Sequence, residues 1–225
     1  MQNTNTKESL HFDDQNYNIV EYSDNFQING KKITIKGLGE KYSKINSFFL
    51  DYLKEYHIPT GFIRVNTSNS LMFVKDTRFP FCIKILNIID KRTAKIFSKK
   101  EGDLLNLPVF EIHSGKQKES LITESHLIAF ELATNEEIRL ILRICSKINA
   151  VLKSFFERRN EILAEVCCYF GKNEDKIYLF DEFTPSSIKI FSGDDKNNKR
   201  PNPYKLITSN DMKKYTEHLF NLTSV

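Results

Sequence analysis

The stretch LFDEFTPSS, Leu179 to Ser187, ends an apolar run with two carboxylates, Asp181 and Glu182, and follows them with a proline and two hydroxyls, Ser186 and Ser187. A second acid, Glu165, interrupts another apolar run, EILAEVCCYFG (161–171). An unpaired carboxylate is costly to bury, so acids in such places need a cation, a hydrogen-bond donor, a metal or water. If the two runs are paired strands, Glu165 and Asp181 face one another across a hairpin. Two carboxylates together with nucleotide phosphates suit Mg²⁺, which keeps several waters and binds through one or two acids. A Lys or Arg partner, or plain exposure to solvent, satisfies the same acids with no ligand at all.

Cations that could meet phosphate are densest in KRTAKIFSKK (91–100), with Lys91, Arg92 and Lys95, and in KNNKR (196–200). A solvated surface is the simpler reading of both runs. Net charge is +4 with 28% charged residues spread along the chain, which gives no strong argument for nucleic acid and leaves room for small anionic ligands. The cysteines, Cys82, Cys145, Cys167 and Cys168, show no C-x-x-C spacing and read as reduced core thiols. His57 falls at a helix end, His113 and His126 fall in loop-like text, and no His-Cys-acid spacing suggests a triad or a zinc site.

The elements that must position these groups follow from periodicity. YNIVEYS (17–23), FQING (26–30) and KKITIKG (31–37) alternate as strands, with Asn29-Gly30 as a hairpin turn, and predict an antiparallel meander. KYSKINSFFLDYLKEYHI (41–58) carries Ile45, Phe48, Phe49, Tyr52, Leu53 and Tyr56 on one helical face. GFIRVN and SLMFVKD (61–76) return to strand composition, and FPFCIKILNII (79–89) is an apolar run suited to the middle of a sheet. In TNEEIRLILRICSKINAVLKSFFERRN, Thr134 and Glu137 form a capping box ahead of a long apolar stripe. Two strands, 161–171 and 176–183, are joined by a turn at GKNED, residues 192–203 read as an exposed loop, and 211–222 closes with a helix. MQNTNTKESLHFDD lacks an apolar signal core and no run approaches about 20 apolar residues, so a cytoplasmic protein with no membrane role is expected.

In succession, KGLGEKYSKINSFFLDYLKEYHIPT, FVKDTRFPFCIKILNI, LITESHLIAFELATNEE, ILAEVCCYFG and IYLFDEFTPSS resemble the SAICAR synthetases (phosphoribosylaminoimidazole-succinocarboxamide synthases) over roughly residues 12 to 191. Members of that family use ATP to join aspartate to a carboxyaminoimidazole ribotide. The resemblance implies an α/β (α+β), two-lobed fold related to ATP-grasp enzymes. Nucleotide would lie between a β-rich N-terminal lobe, 1–78, and a larger C-terminal lobe, 79–225. It implies ATP and Mg²⁺ as cofactors, a small anionic substrate and a possible homo-oligomer. Asp181 and Glu182 match the family's DE, and Glu165 stands for the Asp of its DFKLEFG pattern, which makes Glu165 and Asp181 the implied metal and catalytic acids. Lys75 lies beside the lysine of the family's VKK segment and Asn87 matches the Asn of VVRN. Lys7 is the lysine left in NTNTKE (3–8), where the family has a Gly-Lys-rich loop over phosphates.

Several ligand-facing positions depart from the pattern. The Lys and second acid of DFKLEFG are Cys167 and Tyr169, the Arg before Asn87 is Leu86, the acid beside Pro-x is Cys82, and a downstream Gly-Ser is Lys91-Arg92. SPDTCR appears as TPSSIKI, where Ser186 and Ser187 keep donors and Lys189 keeps a cation without the bidentate fork of Arg. Arg92 and Lys95 are candidate replacements in the phosphate grip. These changes leave the fold intact and bear on the reaction, so a ligase with altered chemistry, a small-molecule kinase and an inert binding module all follow from the same cleft.

Overall fold

The computed structural model describes residues 11–14, 17–28, 31–114, 120–180, 183–192 and 202–224; Lys7, Asp181, Glu182 and the run 196–200 lie outside them. The first half is built around a four-stranded antiparallel sheet in the order β1 (His11–Asp14), β2 (Tyr17–Glu21), β6 (Ser70–Val74), β5 (Phe62–Thr67). The expected meander does not form. Strands β3 (Asn25–Ile28) and β4 (Lys31–Thr34) make a separate hairpin, and β2 pairs instead with β1 and with β6, more than fifty residues further along the chain.

Helix α1 (Leu38–Glu55) starts three residues before its predicted position because its cap comes from elsewhere. The Asp24 carboxylate accepts from the Gly37 and Gly39 amides at 3.0 and 2.9 Å, and Gly37 takes the left-handed φ of 78° at the N-cap. The helix buries Ile45, Phe49, Leu50 and Leu53.

The second half is a six-stranded sheet in the order β11 (Lys176–Leu179), β10 (Glu161–Asn173), β7 (Thr77–Ile88), β8 (Leu104–Ser114), β9 (Leu121–Ile122). Its sixth strand, β12 (Ile188–Ser192), pairs with the first half of β10, so the long β10 offers one edge to β12 and then to β11. Short helices α2 (Lys91–Phe97) and α3 (Glu124–Ala129) connect strands, and α5 (Ser209–Thr223) closes the described chain.

Helix α4 (Asn135–Glu157) is the element best specified locally. The Glu137 amide donates to Thr134 Oγ1 at 3.2 Å, the Thr134 amide donates to Glu137 Oε2 at 2.9 Å, and Ile138, Ile141, Cys145, Ile148, Leu152 and Phe155 are buried. It covers the sheet face that carries Ile83, Ile85, Val166 and Cys168. Phe49 of α1 meets Phe155, Phe156 and Phe183 with ring centroids 5.3, 5.8 and 5.1 Å apart, which fastens α1 to α4 and to the chain after β11. Each such buried ring stabilises the fold by about 1.5–3 kcal/mol. No described helix is long and apolar enough to cross a membrane.

Candidate functional site

Strand alternation sorts β7, β8 and β10 into an apolar face under α4 and a polar face away from it. Three rows cross the polar face. Tyr169, Cys82 and His113 are directly opposed in the first; Cys167, Lys84 and Glu111 in the second; and Glu165, Leu86 and Val109 in the third, with Lys189 of β12 beyond Glu165. The charges are paired within this grid. Lys84 Nζ lies 3.5 Å from Glu165 Oε2, and Arg92, from the first turn of α2, forms an ion pair with Glu111. His113 Nε2 is 2.9 Å from the other oxygen of Glu111, and its Nδ1 is buried without a hydrogen-bond partner among the described residues.

Burial alone would push the Glu111 carboxyl up, yet the hydrogen bond with His113 and the positive charges of Lys84 and Arg92 outweigh it and hold the group below its ordinary range. Asp90, the N-cap of α2, behaves in the same way. Burial opposes its ionisation, and hydrogen bonds from the Thr93 hydroxyl and amide, with Lys84 and Arg92 nearby, prevail. On the other flank Tyr204 leans over the site. Although the residue as a whole is 44% exposed, its phenol is pushed up, first by desolvation and then by the neighbouring Glu165 carboxylate. The Lys189 ammonium donates to the Pro185 carbonyl and lies 6.0 Å from the Tyr204 ring centroid.

Not every residue expected at a site is on this face. Glu165 is, but it does not face the β11 hairpin partner. The β10–β11 ladder joins Phe170–Asn173 to Lys176–Leu179, whereas Glu165 is opposed by Lys189 on one side and Leu86 on the other. The separation follows from the length of β10, since five residues at about 3.3 Å each put Glu165 roughly 16 Å along the strand from Phe170. Asn87 is turned the other way. It is buried beneath α4, where its carboxamide exchanges hydrogen bonds of 2.8 and 3.0 Å with Asn149. The Ser187 hydroxyl closes the turn into β12, accepting from the Thr184 amide at 3.0 Å and donating to the Thr184 carbonyl at 3.2 Å, and Ser186 lies 2.8 Å from the Thr184 hydroxyl. Lys95 is exposed in the last turn of α2, and Lys75 is exposed in the link between the two sheets. Of the run 91–100, only Arg92 reaches the polar face through a paired contact among the described residues.

Although Asp181 and Glu182 lie outside the described residues, the chain on each side of them is pinned. The Phe180 amide donates to the Tyr169 carbonyl at 3.0 Å, Arg78 donates to the Phe180 carbonyl at 3.2 Å, and the Phe183 amide donates to Asn46 Oδ1 of α1 at 2.5 Å. Phe180 itself lies under the Arg78 guanidinium at 4.2 Å and against the bare α-carbons of Gly61 and Gly171.

Lys84, Glu111, His113 and Asn46 are the residues that reading the sequence missed. The alternation of Phe110 and Ile112 with Glu111 and His113 was the available signal, obscured because Asn106 and Pro108 break the start of the strand. His113 is thus a buried strand residue rather than a loop residue, and His126 lies in α3.

The family model described as SAICAR synthetase matches residues 4–219. The chain belongs to the SAICAR synthetase family. A phosphoribosylaminoimidazole-succinocarboxamide synthase of Caldanaerobacter subterraneus subsp. tengcongensis is 32% identical over 183 residues, 80% of this chain and 78% of that relative. A SAICAR synthetase (type-1) from Pyrococcus horikoshii OT3 superposes with a TM-score of 0.85 at 25% identity, covering 96% of this chain and 98% of the other. A SAICAR synthetase (type-2) solved in complex with ADP has the same fold, with a TM-score of 0.85 at 23% identity over 100% of this chain and 97% of that one. Four of the departures that the resemblance points to are neighbours, while others lie in α2 and in the turn before β12. Cys82, Leu86, Cys167 and Tyr169 all lie on the polar face of two adjacent strands, while Lys84 stands directly opposite Cys167.

Proposed function

We propose that this chain is an ATP-dependent, ADP-forming carboxylate–amine ligase of the SAICAR synthetase type, working at the polar face of the six-stranded sheet on an acceptor that differs from the usual ribotide. The observation that carries the reading is the collinear family match joined to a sheet face on which Lys84, Arg92 and Lys189 gather against Glu111 and Glu165. In such a reaction ATP phosphorylates a carboxylate and an amine displaces the phosphate. The protein must hold the reactants together and offset charge on the moving phosphoryl group. The cations of the polar face are suited to that electrostatic task, and the two glutamates keep Lys84 and Arg92 oriented before a ligand arrives. Nucleotide lies, in this reading, between the lobes 1–78 and 79–225, with Lys7 and Lys75 as further phosphate contacts and Asp181 and Glu182 beside it.

Among the described residues no three His, Cys, Asp or Glu side chains are grouped to hold a metal ion, and Glu165 already has Lys84 as its counter-ion. Magnesium therefore enters only as the companion of the triphosphate, whose oxygens and waters supply most of its ligands, with Asp181 as the remaining candidate acid. No step rests on it.

A second reading, an inert binding module, is favoured by the clustering of Cys82, Leu86, Cys167 and Tyr169, since removing several charged groups from one face weakens chemistry more than it weakens folding. Losing one transition-state donor costs about 10²–10³ in rate. Titration calorimetry with Mg-ATP, followed by an ADP-release assay with carboxyaminoimidazole ribotide and aspartate, separates the readings. The ligase reading expects ATP binding and ADP release that depends on an acceptor. Full activity with that ribotide would refute the altered acceptor, and absence of ATP binding would refute the ligase.

A further inference from the structure

Cys82 of β7 and Cys167 of β10 bring their sulfurs to 3.3 Å across the central strand pair, inside the contact distance of two thiols. Both are almost fully buried, at 2% and 5% exposure, and both lie on the polar face. They are not directly opposed. Cys82 faces Tyr169 and Cys167 faces Lys84, so the two thiols meet on the diagonal. Cys168, next in sequence, points to the other face of the sheet, and Cys145 belongs to the buried stripe of α4. Strand pairing has therefore selected one pair of the chain's four cysteines. The reduced-core reading of the sequence accounts for Cys145 and Cys168 but does not anticipate two thiols held in contact.

We infer that Cys82 and Cys167 form a dithiol modification site that closes to a reversible disulfide on reaction with a hydroperoxide. A disulfide needs its sulfurs at about 2.03–2.05 Å, so the pair has to close by little more than 1 Å. Cys167, the more exposed of the two, attacks the peroxide oxygen. The O–O bond breaks, one water or alcohol leaves, and Cys167 becomes a sulfenic acid. Cys82 then attacks that sulfur and expels water. Two S–H bonds and one O–O bond are lost, one S–S and two O–H bonds form as the thiol protons pass to the peroxide oxygens, and the two electrons removed from the thiols reduce the peroxide. A bridge on the diagonal of a ladder pulls on both strands, which places it among the reducible disulfides rather than the permanently structural ones. The pull falls on the row holding Lys84, whose neighbour Glu165 is two residues from Cys167, so oxidation reports on the same floor that a ligand would meet.

The experiment treats the full chain with hydrogen peroxide at a few equivalents, quenches with a maleimide in denaturant, counts thiols by intact mass and maps cross-linked peptides. The expected result is a fall from four titratable thiols to two, one linked peptide pair containing Cys82 and Cys167, and return to four after dithiothreitol. Cys82→Ser should block the bridge and stop Cys167 at the sulfenic or sulfinic stage, while Cys145→Ser should still form it, its thiol count falling from three to one. Four remaining thiols, a bridge through Cys145 or Cys168, or irreversible oxidation of Cys167 in the unsubstituted protein would overturn the inference. The peptide map of the unsubstituted chain decides the matter even if a serine variant fails to fold.

Discussion

Lys84 Nζ and Glu165 Oε2 stand 3.5 Å apart across adjacent strands, both mostly shielded from water. Glu165 also has Lys189 opposite it, and Lys84 also acts on Glu111 and Asp90, so one ammonium supports three carboxylates. Replacing Lys84 with Met should therefore cost more than a surface pair would. The expected loss is about 1–3 kcal/mol, larger than the ~0–1 kcal/mol of exposed pairs. Urea unfolding of Lys84→Met, Glu165→Gln and the double variant checks it, and the double variant should lose less than the sum of the singles.

Asn87 and Asn149 should matter to stability and not to ligand affinity. Each carboxamide is the other's partner under α4, so Asn149→Ala strands a buried amide at a cost of about 1–3 kcal/mol. Asn87→Ala should lower the melting temperature to a similar degree while leaving the dissociation constant of Mg-ATP unchanged in calorimetry. A tenfold weaker dissociation constant with an unchanged melting temperature would return Asn87 to the ligand face.

Glu111 gives the fold a defined acid limb. Its carboxyl is held below the ordinary value of 4.5, so the folded state binds this proton less readily than the unfolded state does. The ionised group stabilises the protein fully above that value, and the contribution is lost as pH falls through 4.5 toward the lower folded-state value. Glu111→Gln should be less stable by about 1–3 kcal/mol at neutral pH. The gap from the unsubstituted protein should shrink as pH drops below 4.5 in guanidinium melts.

Gly171 cannot carry a side chain without moving a buried carboxylate. A Cβ there would lie 2.1 Å from Asp76 Oδ2 and 3.0 Å from the Phe180 ring. Asp76 has little room to yield, because it is paired with Arg78 at 2.6 Å and accepts from Asn18 at 2.9 Å. Gly171→Ala should destabilise by about 1–3 kcal/mol. Since Phe180 precedes Asp181, it should also weaken nucleotide binding, which Gly37→Ala, strained in backbone but open in space, should not do.

Local signals were readable where they were self-contained. The Thr134–Glu137 box and the stripe behind it specify the 23-residue α4, and the apolar run of β7 announces a central strand. What was hidden depended on partners far along the chain. Asp24 starts α1, β2 joins β6 rather than β3, and β12 rather than β11 meets Glu165. Strand alternation is enough to set Glu165 and Cys167 on one face of β10, but only the neighbouring strands decide that Lys84 and Cys82 stand beside them. The resemblance points to the departures one by one, and the sheet register brings four of them, Cys82, Leu86, Cys167 and Tyr169, together on adjacent strands.

The ion pairs of the polar face leave it close to electrical balance. Three cations, Lys84, Arg92 and Lys189, stand against Asp90, Glu111 and Glu165 among the described residues. Such a surface exerts little pull at a distance, so a charged visitor is not drawn in by a long-range field and its arrival rate should respond weakly to ionic strength. At the proposed site, selection would instead rest on contact, with an incoming anion competing with a glutamate for the lysine or arginine that it holds.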